Sequence, residues 1–180
     1  MARYAAFLRA VNLGATRKAG STQLRSLFEE MGFEDVATFR TSGNVVFDAG
    51  RESAAKLTGR IEKGLAEGLG FDVTILLRSG SEVRAIADHQ PFPSEAVEAS
   101  KGKLQVVMLQ RKPAKEQRKD VEALATDDDS LAFRDRELYW LPKGGIRDAD
   151  LNRGAMEKVF GPTTTRTKGT VELIAEKFFY

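Results

Sequence analysis

The apolar residues of this chain run twice through the same order of periodicities, and few folds accommodate such an order. Arg3 to Val11 reads as a buried strand. Leu24, Leu27, Phe28 and Met31 then fall at helical spacing. Ser21 is the expected N-cap of that helix, and Gly32-Phe33 supplies its left-handed stop with an apolar partner. Val36 to Thr41 and Asn44 to Asp48 are strands joined across a tight Ser42-Gly43 turn. Leu57, Ile61, Leu65 and Leu69 form one helical stripe. Phe71 to Arg78 is a further strand, and Ser81 to Asp88 a short helix before the break at Pro91 and Pro93. Beyond a polar stretch from Ser94 to Lys103 the order starts again. Leu104 to Gln110 is a strand, and a polar helix after Pro113 carries Val121, Leu124 and Ala125 on its apolar edge. Leu131 to Phe133 and Leu138 to Leu141 flank an Asp135-Arg136 turn. Leu151, Ala155, Met156, Val159 and Phe160 form a helix ended by Gly161-Pro162. A Thr-rich strand leads into a last helix with Val171, Ile174, Ala175 and Phe178.

Each half thus reads strand–helix–strand–strand–helix–strand plus an extra helix, the split βαβ order of the ferredoxin-like fold. The expected fold class is α+β, with two ferredoxin-like halves, residues 1–93 and 94–180, related by duplication. A direct echo points the same way. Laid over one another, Arg78–Asp88 and Arg166–Glu176 repeat Arg, Val, Ile and Ala in register, with Ser or Thr after the Arg and an acid at the end.

Composition narrows the function classes. Of 180 residues 42% are hydrophobic, enough for a packed interior, and the formal net charge of +2 is too balanced for a nucleic-acid coat. The case for nucleic acid is weak on motifs too, since no RNP-type string accompanies Tyr139 and Trp140, which alternate so that one should enter the core and the other face out. The lack of Cys removes disulfides, thiolate zinc sites and a cysteine nucleophile, and a single histidine, His89, argues against a histidine-rich metal site. No metal and no cofactor is expected. Asp127-Asp128-Asp129 reads as a solvated turn, and His89, before Pro91, as a capping or surface residue. No signal-peptide core or membrane span is visible, so a cytoplasmic protein, monomer or homodimer, is expected.

In a ferredoxin-like sheet the first two strands are parallel and the third lies between them. The end of the first strand therefore belongs at the same edge as the first hairpin turn. Asn12 and Gly14 should approach Ser42, Gly43 and Asn44, near the start of the first helix. Helix N-termini welcome anions, and Arg9, Arg17 and Lys18 add positive charge there. A site for a small anionic or phosphate-bearing ligand built from Arg9, Asn12, Gly14, Lys18, Ser42, Gly43 and Asn44 is one reading. In the other, both asparagines hold their turns by side-chain to backbone hydrogen bonds. No P-loop or Gly-x-Gly-x-x-Gly string follows a strand. Gly64 and Gly68 sit in a helix, where close approach to the sheet is the expected reason.

Arg9-Ala10-Val11-Asn12-Leu13-Gly14, Ser42-Gly43-Asn44-Val45-Val46-Phe47, Gln90-Pro91-Phe92-Pro93 and Thr164-Thr165-Arg166-Thr167 resemble the bacterial family catalogued as domain of unknown function 1697. The resemblance implies two ferredoxin-like halves and carries no established activity. It also implies Asn where this chain has Thr167, and Ser-Lys where it has Ala149-Asp150. The biochemical activity and any catalytic residues are therefore unknown. The alternatives to ligand binding are a protein-interaction (dimerisation) module and an enzyme acting on a nucleotide-like substrate, for which no nucleophile with an obvious base is offered.

Overall fold

Ala5, Ala6, Phe7 and Leu8 form an uninterrupted apolar run, and a strand of that kind needs cover on both faces. In a computed structural model, which describes residues 1–9, 11–12, 15–41, 43–101, 103–144 and 151–180, these four lie in β1 (Ala2–Leu8) and none is more than 2% exposed. β1 pairs antiparallel with β3 (Asn44–Ala49) on one side and β4 (Ile75–Ser79) on the other. With β2 (Glu34–Thr38) outside β3, the strand order is β2-β3-β1-β4. Helices α1 (Ser21–Glu30) and α2 (Ala54–Leu69) cover one face, where Leu24, Phe28, Leu57, Ile61 and Leu65 meet Ala6, Leu8, Val45 and Phe47. The opposite face, carrying Ala5, Phe7, Asn44, Val46, Leu76 and Arg78, is buried as well.

The helix ends follow local chemistry. Ser53 accepts from the Lys56 N–H at the start of α2, and Gly70 closes it in the left-handed conformation. At the end of α1, Gly32 takes φ +83° and the Phe33 N–H reaches back to the Phe28 carbonyl, as the sequence indicates. The other end differs from expectation. Ser21 is the first helical residue rather than the cap, and Gly20, extended at φ −71° and ψ 157°, takes the cap position without a side-chain bond. Gly64 and Gly68 also have a different partner from the one expected. A Cβ at Gly64 would lie 2.3 Å from Met31 Sδ, and one at Gly68 2.2 Å from Leu27 Cδ2. They admit α1 rather than the sheet.

The second sheet has the order β6-β7-β5-β8, built from β5 (Gln105–Met108), β6 (Asp129–Arg134), β7 (Glu137–Pro142) and β8 (Thr164–Thr167), all pairs antiparallel. Val107, Leu109 and Leu138 meet Val121 of α5 (Lys115–Glu122) and Met156 of α6 (Arg153–Phe160). Further helices are α3 (Gly80–Asp88), α4 (Ser94–Ala99) and α7 (Lys168–Phe178). α4 falls in the stretch read as a polar connection. It buries no residue, so no apolar period announced it. Tyr139 and Trp140 are both buried, against the expectation that one faces out. β7 is an inner strand covered on both faces, and Trp140 Nε1 donates to Asp129 Oδ1 at 2.6 Å beneath the Arg153 guanidinium.

The two sheets match in register as well as in order. Ala5 stands between Val46 and Arg78, and Val106 stands between Tyr139 and Arg166. The Leu8 N–H donates to Gly43, and the Leu109 N–H to Arg136. The chain forms two compact units, Met1–Arg84 with Ile174–Tyr180, and Ala85–Leu173. In the first, Phe179 packs over Gly80, and Arg84 donates to the Phe179 carbonyl.

Ile61 is fully buried between α2 and the first sheet. Ile61→Ala is expected to cost about 2–5 kcal/mol in chemical denaturation, by lost transfer energy and the cavity left behind. Leu27→Ala, at a half-buried position, should cost less.

Candidate functional site

The chain leaves β1 at Leu8, and Asn12 adopts φ +59°, a conformation that asparagine tolerates better than most residues. That twist lets one side chain serve two segments. Asn12 Oδ1 accepts from the Ala19 N–H at 3.0 Å, and Asn12 Nδ2 donates to the Thr41 carbonyl at 2.6 Å. Its own N–H donates to the Arg17 carbonyl, closing the loop on itself. Ala19 precedes the Gly20 cap, so Asn12 positions the start of α1 and ties it to the turn between β2 and β3.

That turn is longer than the sequence suggests. Phe39 and Asn44 close it through the Phe39 N–H and Asn44 carbonyl at 3.0 Å, leaving residues 40–43 between them. Asn44 Nδ2 donates to the Phe39 carbonyl at 2.9 Å, a bond the backbone would otherwise make. Arg40 and Gly43 both have positive φ, 57° and 75°. Gly43 also has no room for a side chain, since a Cβ would lie 2.6 Å from Val11 Cγ2 and 2.9 Å from Leu8 Cβ.

The residues singled out from the sequence therefore divide. Asn12, Gly43 and Asn44 come together at one end of the first sheet, but Asn44 is 2% exposed and its amide serves the turn. Arg9 is half-buried, with its N–H on the Thr74 carbonyl, and Lys18 is exposed two residues before the cap. Gly14 and Ser42 lie outside the described residues, as do Ala149 and Asp150. The Arg17 guanidinium stacks over Phe71, 5.7 Å from the ring centre.

Beside this end runs a groove that sequence reasoning did not single out. Ser21, Thr22, Arg25, Ser26 and Glu29 of α1 form one wall and Thr38 of β2 the other. Ser and Thr in an exposed helical face carry no periodic signal, which is why the groove was not legible. Arg25 Nε donates to Glu29 across one turn at 2.9 Å, and the first turn of α1 contains no acid. Among the described residues no group of three or more His, Cys, Asp or Glu is arranged to hold a metal ion. No helix among them is long and apolar enough to cross a membrane.

Residues 1–139 match the model of the family described as Protein of unknown function (DUF1697). The chain belongs to that family. The Asn12 and Asn44 turns both fall within the matched DUF1697 residues, while Thr164–Thr167 lies beyond them. A conserved bacterial protein from Streptococcus pneumoniae has a similar structure, with a TM-score of 0.74 over 97% of each chain. At 22% identity that likeness shows the fold alone. No match is found among curated proteins. DUF1697 has no assigned activity, and none comes to this chain through either comparison.

Arg166 and His89 depart from their ordinary ionisation. Burial holds the Arg166 guanidinium down to about 10, still charged at neutral pH, with Nη1 on Thr164 Oγ1 and the Thr165 carbonyl. His89 is held below the usual histidine value, by burial first and then by Arg134 and Lys168.

If Asn44 serves the turn, Asn44→Ala removes a donor from the half-buried Phe39 carbonyl. It should cost about 1–3 kcal/mol, read as a shift in denaturation midpoint. Gly43→Ala should be destabilising too, because its φ and the Val11 contact both resist a Cβ.

Proposed function

We propose that this protein binds a small anionic ligand, phosphate- or carboxylate-bearing, in the groove where α1 begins. The observation that carries the reading is the uncapped first turn of α1 beside an open, hydroxyl-rich wall. Unpaired N–H groups and the positive end of the helix dipole favour negative charge there. Ser21, Thr22 and Ser26 supply hydroxyls, Thr38 stands opposite, and Arg25 supplies a guanidinium. The Arg25–Glu29 pair is exposed, so a ligand carboxylate or phosphate displaces Glu29 at small cost. Lys18 and Arg9 add charge at the same end. Asn12, Gly43 and Asn44 act as positioning residues that hold the helix start against the turn, and Gly14 and Ser42 complete the set read from the sequence.

The wider frame of this reading is a duplication of two ferredoxin-like halves, residues 1–93 and 94–180. Equal strand order and the equivalent register of Arg78 and Arg166 support it, together with the echo between Arg78–Asp88 and Arg166–Glu176. The lack of cysteine fits a cytoplasmic setting.

A thermal-shift series with inorganic phosphate, nucleotides and small organic acids tests the ligand. A bound anion should raise the melting temperature with concentration by mass action, and Arg25→Ala should reduce that rise while leaving the unliganded melting temperature nearly unchanged. No rise with any anion removes the reading. The interaction module would then take its place, to be checked by size exclusion with light scattering.

A further inference from the structure

β6 lies at the outer edge of the second sheet, and among the described residues no strand pairs with its free side. The ladder decides which backbone groups it leaves open. The Lys143 N–H donates to the Asp128 carbonyl, one step before β6 begins. Hydrogen bonds alternate along an antiparallel pair, so Ser130, Ala132 and Arg134 also direct their N–H and C=O groups to β7. The same groups of Leu131 and Phe133, and the Asp129 carbonyl, point away from the sheet. The Asp129 N–H does too, but the Thr126 carbonyl takes it. Among the described residues no hydrogen bond reaches the outward groups of Leu131 or Phe133.

An open edge invites pairing, and folds ordinarily blunt it. β2, at the edge of the first sheet, is blunted in this way. Its register with β3 shifts between Glu34 and Ala37, and Asp35 takes φ +45°. β6 has no such break. It keeps register with β7 from Asp129 to Arg134, holds no proline or lysine, and centres on the half-buried apolar run Leu131-Ala132-Phe133. Asp128 and Arg134 flank that run. Both are exposed, and among the described residues neither side chain makes a hydrogen bond or ion pair.

We propose that β6 is a dimerisation edge, pairing antiparallel with β6 of a second copy of this chain about Leu131. A two-fold axis normal to the sheet sets Leu131 opposite its counterpart and keeps every side chain on its own face. Only outward groups then meet. The two Leu131 residues exchange N–H and C=O, and each Phe133 N–H donates to the Asp129 carbonyl of the other copy. On the opposite face Asp128 of each copy stands against Arg134 of the other, with Ser130 against Ala132 between them. These are non-hydrogen-bonded pairs, in which side chains approach most closely. Charge selects this register. An axis through Ala132 also satisfies the backbone, but it sets Asp129 against Asp135 at both ends. The strand is thus complementary to itself, as a two-fold interface requires. An edge contact of this length buries little surface, so the dimer is weak and concentration-dependent. No residue of the α1 groove takes part, and the two readings stand or fall separately.

Sedimentation velocity over a concentration series should show a reversible monomer–dimer equilibrium. Hydrogen exchange at the Leu131 and Phe133 amides should slow as the dimer forms. Arg134→Asp sets acid against acid at both ends, and Asp128→Arg sets base against base. Both side chains are exposed and unbonded, so each variant should fold, which thermal melting checks. Each alone should dimerise about tenfold more weakly. An equimolar mixture of the two variants restores both opposite-charge pairs and should recover the association. A monomer at every concentration would leave the edge to a strand from another protein and overturn the proposal. A dimer indifferent to both reversals would overturn it too, as would a mixture that associates no better than its components.

Discussion

The carboxamide of Asn12 accepts from Ala19 and donates to Thr41, and these two bonds join three segments that sequence separates by up to 29 residues. Within the same segment the Asn12 N–H also donates to the Arg17 carbonyl. The amide therefore sets where α1 begins, how its first turn faces β2, and which way the β2–β3 turn leans. A carboxylate could not replace it, because the Thr41 carbonyl needs a donor, and an alanine would leave both partners unpaired. Asn44 works beneath it in the same manner, lending a side-chain N–H to the Phe39 carbonyl where the turn has pulled the backbone out of the ladder.

The comparison of the two sheets explains why this end differs between the halves. Both have the same strand order, and Gly43 and Arg136 occupy matching places as acceptors from the residue that ends the central strand. In the second sheet the hairpin closes with Asp135 and Arg136 alone. In the first, the turn is closed by Phe39 and Asn44 and is longer, and it offers the Thr41 carbonyl to Asn12. The position next to each acceptor is a buried polar residue, Asn44 in one sheet and Glu137 in the other. One frame thus carries two different chemistries at its open end. The first half presents a helix start with hydroxyls beside Asn44, and the second a two-residue hairpin beside Glu137.

The strand and helix pattern was legible because periodicity depends only on which face of an element is apolar. Leu57, Ile61 and Leu65 announced α2, and Gly32 with Phe33 announced the end of α1, since both signals are local. The asparagines were legible as turn residues for the same reason. The directions of their amides were not, because they depend on the φ of Asn12 and on a turn distant in sequence. Reading Ser21 as the cap failed because Gly20 already sits in the extended conformation that a cap requires.

What the amino-acid order by itself determined is the succession of elements, the repeat of that succession, and the two places where Asn and Gly interrupt it. Those follow from side-chain period and backbone permissiveness, which act over a few residues. Tertiary structure alone decided that Gly64 and Gly68 face α1, that Tyr139 and Trp140 are both interior, and that the Lys168 ammonium reaches the Ala87 carbonyl. Each of these is a contact between segments far apart in the chain. Their proximity is set by the strand order and by the faces that helices cover, and no local pattern records it.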